Sequence, residues 1–232
     1  MTNTITGKET RERIIKTNAR DSAAAIFFFG AMWGFIEATV GFTLHLLPRL
    51  LPFPRVAGFV MFPIGLIFMI GAVRSTGRAS SALGVASVAS ALKLASAALP
   101  AVSWIFVVNP AIAILSEGLI VVLALQISSF VRLSAGSAAA AFGVSVGWRG
   151  LFLLINLTAG ITGGILSRPA GALLEFLFLE GAVNGLLITA MMAAGLFATL
   201  GSDRIRRTVV RPVPAAAALA FACIAELVTA GL

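Results

Sequence analysis

Apolar residues gather into long runs separated by short polar breaks, and the runs carry no strand-like alternation. Seven of them stand out, at about residues 23–47, 57–73, 81–99, 110–130, 134–157, 170–199 and 213–231. Runs of about 20 apolar residues match the length an α-helix needs to cross a hydrocarbon core of about 30 Å. The pattern therefore predicts an all-α, polytopic transmembrane helix bundle of six or seven spans. The sixth run is long for one straight helix, so it is expected to tilt or to begin as an interfacial or re-entrant turn near Pro169.

The breaks carry turn chemistry. "PRLLPFPR", Pro48 to Arg55, holds three prolines and reads as a loop. "NP" at Asn109–Pro110 suits a helix start, with asparagine capping and proline at the first helical position. "RPVP", Arg211 to Pro214, opens the last run in a similar way.

Composition agrees with a membrane bundle. The chain is 59% hydrophobic and 11% charged, with mean hydropathy +1.03, against roughly 25% charged residues in soluble domains. Its 232 residues are accounted for by a polar segment over 1–22 and a single transmembrane helical domain over 23–232. The polar segment, with "GKETRERIIKTNARDS", precedes a run too long for a cleavable signal and reads as a retained cytoplasmic segment. The net charge of +8 sits in short breaks between the runs, the distribution expected of membrane orientation and not of nucleic-acid binding. With a cytoplasmic N-terminus, twelve lysines and arginines fall inside, against Arg49, Arg55 and Arg168 outside. The expected location is the plasma membrane, the inner membrane of a two-membrane cell. Seven spans place the C-terminus outside; if the last run lies along the surface, six spans leave both ends inside.

Charges inside the runs change the picture most. Glu37, Glu117, Glu175, Glu180 and Glu226 all lie within them, as do Lys93 and Arg149, and an ionisable group in lipid costs at least a few kcal/mol. "GFIEATVGFTLHLL", Gly34 to Leu47, also holds His45, the single histidine. Counting residues from the run ends puts Glu117, Glu175, Glu180, Lys93 and Arg149 in the outer half or near the middle. Glu37 is near the middle and His45 near the outer mouth. Shared depth points to a polar pocket entered from outside. Expected ligand-binding residues are Glu37, His45, Lys93, Glu117, Arg149, Glu180 and Asn184, with Glu37 facing Lys93 or Arg149. Glu180 and Asn184 share a helix face at i, i+4, and Glu175 lies about 140° away. The competing account is structural: the two cations pair with two glutamates and hold the helices in register.

Other chemistries find little footing. One histidine and one cysteine supply no paired haem ligands, no zinc motif and no disulfide. No P-loop or dinucleotide glycine fingerprint is present, so no cofactor, metal or ATP hydrolysis by this chain is expected. "LSEG" (Leu115–Gly118) and "FLEG" (Phe178–Gly181) are alike, but a four-residue match in so apolar a chain is expected by chance and argues against reading an internal duplication.

A small basic bundle with an outward polar pocket, no ATPase motif and the alanine-rich start "SAAAIFFFGA" (Ser22–Ala31) resembles the membrane S components of energy-coupling factor transporters. The resemblance covers most of the chain in size and layout, and the seventh run departs from it. It implies binding a vitamin, metabolite or metal ion from outside. Uptake would then be driven by a transmembrane coupling protein and two cytoplasmic ATPases. Two other readings stand beside it: an accessory subunit of a larger membrane complex, and a glutamate-dependent membrane enzyme. The buried carboxylates favour a cation or amine, whereas Lys93 and Arg149 could grip an acid.

Overall fold

A computed structural model describes residues 19–46, 56–95, 97, 104–127, 135–161, 165–200 and 203–230. Among these, no strand occurs and helices follow one another along the chain. They are α1 (Ala19–Ile36), α2 (Phe42–Leu46), α3 (Val56–Thr76), α4 (Ser81–Ala95), α5 (Ile105–Ile127) and α6 (Ala135–Thr158). Then come α7 (Ala170–Leu174), α8 (Glu180–Ala193), α9 (Leu196–Thr199), α10 (Asp203–Val209) and α11 (Pro212–Ala230). Two wider π-helical turns join α1 to α2 (Glu37–Gly41) and α7 to α8 (Glu175–Leu179) without breaking either rod. Among the described residues, six helices are long and apolar enough to cross a membrane: Ala19–Leu44, Ala57–Thr76, Val107–Ile127, Ser137–Thr158, Ala170–Ala193 and Pro212–Thr229. The protein is a multi-pass membrane bundle.

The helix that falls short is α4, with 15 residues. It is nonetheless a member of the bundle, packed on α1, α3 and α5. Close approach fixes its direction. Gly30 faces Val88 and Gly34 faces Leu92, so α4 runs the same way as α1, and a Cβ on either glycine would stand 2.6 Å from its neighbour. Gly118 of α5 lies against Ala86, while Ser90 Oγ donates to Ala111 O at 3.1 Å, so α5 runs back. Gly181 against Val146 and Gly185 against Phe142 make α8 antiparallel to α6 in the same way. Small residues at these crossings allow backbone-close packing where lipid supplies no hydrophobic drive. α11 attaches through Ala218 and Ala222 to a patch with Ala31 and Leu92, and its Glu226 lies level with Lys93 near the end of α4. It therefore ends at the opposite end of the bundle from the start of α1.

Several boundaries differ from the sequence reading. Asn109–Pro110 does not start a helix: α5 begins at Ile105, with Trp104 O accepting from Val107 and Val108 N–H, and Pro110 sits one and a half turns in. Early placement makes this tolerable, since few hydrogen bonds precede it. The sixth run is one helix to Ala193 and stops because Gly195 takes φ 70°, closed by Ala194 N–H to Ala190 O and Gly195 N–H to Met192 O. The loop 48–55, most of segment 1–22 and the side chain of His45 lie outside the described residues.

Candidate functional site

Arg149 organises the interior. It is completely buried on α6, one residue after Trp148, whose ring lies 4.4 Å from the guanidinium carbon; the Phe176 ring lies at 5.5 Å. Stacking on aromatic faces suits guanidinium, which is planar and weakly hydrated. Nη1 donates to Ser145 O at 2.8 Å, one turn back, and Nη2 donates to Asn184 Oδ1 at 2.6 Å. The Glu180 carboxylate stands 4.0 Å from Nη2. Phe62 and Phe152 complete an aromatic group around Trp148 and Phe176, with ring centroids 5.6–6.0 Å apart.

Asn184 carries the network to a third helix. Its Nδ2 faces Phe59 O at 3.3 Å and Gly58 O at 3.4 Å. In a regular helix Phe59 O would accept from the N–H four residues on, but that residue is Pro63, which has none. Asn184 thus supplies the donor that proline removes. Membrane helices tolerate internal proline when a neighbouring side chain satisfies the freed carbonyl in this manner.

Four carboxylates and two cations form a connected electrostatic array. Glu117 on α5 is buried and lies within the field of Glu37 and Arg149. Arg149 in turn feels Glu180 and Glu117. At the other end Lys93 Nζ stands 3.7 Å from Glu226 Oε2, and Glu226 also feels Glu37. Glu37 opens the first π-helical turn and lays its carboxylate over Gly41, whose Cβ, if present, would stand 3.1 Å from it. π-turns recur at functional sites because the wider turn re-aims side chains.

The structure thus links Glu37, Lys93, Glu117, Arg149, Glu180 and Asn184 through contacts and electrostatic reach, with Glu226 between Lys93 and Glu37. Glu175 is exposed, whereas Glu180 is buried. His45 lies in α2, with its side chain outside the description. Three contributors were missed from sequence: Glu226, Trp148 and Pro63. The depth argument that grouped the other carboxylates applies equally to Glu226, which sits late in an outward-running helix. Trp148 gave no such signal, since an aromatic in an apolar run is ordinary.

Several buried polar atoms in this region have no hydrogen-bond partner among the described residues. They include Glu117 Oε2, Arg149 Nε, Trp148 Nε1 and Glu226 Oε1. No three His, Cys, Asp or Glu side chains among the described residues stand together as a metal-holding group. The chain matches no protein-family model, no curated protein and no solved structure.

Proposed function

We propose that this protein binds a small polar or charged solute within the membrane, at the array of Glu37, Lys93, Glu117, Arg149, Glu180 and Asn184, as part of its transport. The observation that supports the reading is Glu117, whose Oε2 is buried within the bundle and has no hydrogen-bond partner among the described residues. A carboxylate kept only to hold helices in register would have its oxygens satisfied, because an unsatisfied buried group is destabilising. Intramembrane ionisable residues mark solute and ion pathways.

In this proposal the protein resides in the plasma membrane with its N-terminus cytoplasmic, following the excess of lysine and arginine on that side. The array then lies in the outer half, reached from outside. Lacking a nucleotide-binding motif, the chain works with a separate coupling subunit and cytoplasmic ATPases, as the S-component resemblance implies. It performs no covalent chemistry of its own.

A thermal-unfolding assay in lipid nanodiscs tests the binding step. A small-molecule extract of the source cells raises the midpoint of the wild-type protein, and Glu117→Gln or Lys93→Met abolishes the shift while retaining helical circular dichroism. An equal shift in both variants would remove the array from the binding site.

A further inference from the structure

Resting on the solute-binding reading, we infer that the solute is a compact zwitterion, carrying an ammonium group for Glu117 and an acceptor oxygen for Arg149 and Trp148. Glu117 Oε2 is an acceptor awaiting a donor, and it sits in a residue only 5% exposed. The arginine whose field reaches it, and the tryptophan stacked on that arginine, carry a pair of donors awaiting an acceptor. Arg149 Nε and Trp148 Nε1 are both without hydrogen-bond partners among the described residues, on side chains 0% and 3% exposed.

The donors and the acceptor belong to one neighbourhood. Arg149 and Trp148 are adjacent and stacked, and Glu117 lies within the field of Arg149. They do not neutralise each other by direct contact, since each retains an unmade bond. A buried N–H or carboxylate oxygen left unsatisfied costs about 1–3 kcal/mol. One ligand with complementary groups at its two ends relieves all three.

Each alternative leaves something unmatched. A simple amine satisfies Glu117 and leaves the Arg149 and Trp148 donors bare, whereas a simple acid satisfies the donors and adds negative charge beside Glu117. The aromatic group of Phe62, Trp148, Phe152 and Phe176 gives the same neighbourhood an apolar character that suits a short aliphatic chain between the two ends.

The test uses probes that share a carbon skeleton. Binding of butylammonium, butyrate and 4-aminobutyrate to the full chain in nanodiscs is measured by titration calorimetry, with glycine and 6-aminohexanoate varying the charge separation. At least one amino acid of the series binds, and 4-aminobutyrate binds ten- to a hundredfold more tightly than either monofunctional probe. Glu117→Gln removes the advantage over butyrate, and Trp148→Phe, which keeps the ring but not the N–H, weakens the amino acid about tenfold without changing butylammonium. Equal or tighter binding of butylammonium or butyrate overturns the zwitterion and leaves solute binding intact. Binding by none of the five also overturns it. The unfolding shift produced by the cell extract judges the broader reading separately.

Discussion

Replacing Asn184 by leucine separates the two jobs this side chain performs. The variant removes the 2.6 Å bond to Arg149 Nη2 and the longer contact to Phe59 O at 3.3 Å. A hydrogen bond to a charged group contributes about 1.5–3 kcal/mol in soluble proteins, yet interhelical bonds in membranes average about 0.6 and reach about 1.7. Arg149 keeps Ser145 O and the nearby Glu180, which softens its loss. The expected destabilisation is therefore about 2 kcal/mol, most of it from the guanidinium and about 0.5–1 kcal/mol from the carbonyl. The second part is separable. Pro63→Ala restores the N–H that Phe59 O lacks, so Asn184→Leu in that background costs less by about 0.5–1 kcal/mol. Equilibrium unfolding of the four proteins in mixed micelles of increasing denaturing detergent closes the cycle. Additivity to within about 0.3 kcal/mol would refute the claim that Asn184 stands in for the missing proline donor.

Lys93→Met leaves Glu226 buried without its cation, so it destabilises more than the double variant Lys93→Met/Glu226→Gln, by about 1–3 kcal/mol in the same unfolding assay. Gly118→Val drives a side chain into Ala86 and forces α4 from α5, costing about 1–3 kcal/mol, whereas Gly58→Ala, where a Cβ meets nothing within 4 Å, is tolerated. Because α11 ends at the opposite end of the bundle from the start of α1, reporters fused at the C-terminus and placed in the 77–80 turn read opposite sides of the membrane. A shared side would contradict the direction assigned to α11.

Much of the architecture was legible because lipid imposes it. Unsatisfied backbone cannot lie in hydrocarbon, so runs such as 57–73 and 134–157 had to be helices, and they are. Position along a helix was likewise legible, because 1.5 Å per residue converts sequence distance into length. Azimuth was not. Whether Glu175 or Glu180 faces inward depends on which side of the helix meets α6, and the π-turn between them alters the phase that a regular helix would give. Partner choice was equally hidden: the Lys93 to Glu226 pair joins residues 133 positions apart in sequence, and only the packing of α11 beside α1 and α4 brings them together. Pro110 was misread because its local signal is strong, while the turn from Trp104 that starts α5 earlier carries no distinctive cap.

Native mass spectrometry of the protein released gently from its own membranes addresses the central claim most directly. The account predicts a discrete small-molecule adduct on the intact chain, lost in Glu117→Gln while the bare protein keeps its charge-state distribution. A stoichiometric assembly with other membrane subunits and no such adduct on the wild-type chain would contradict it, and would assign the buried charges to holding helices and partners together.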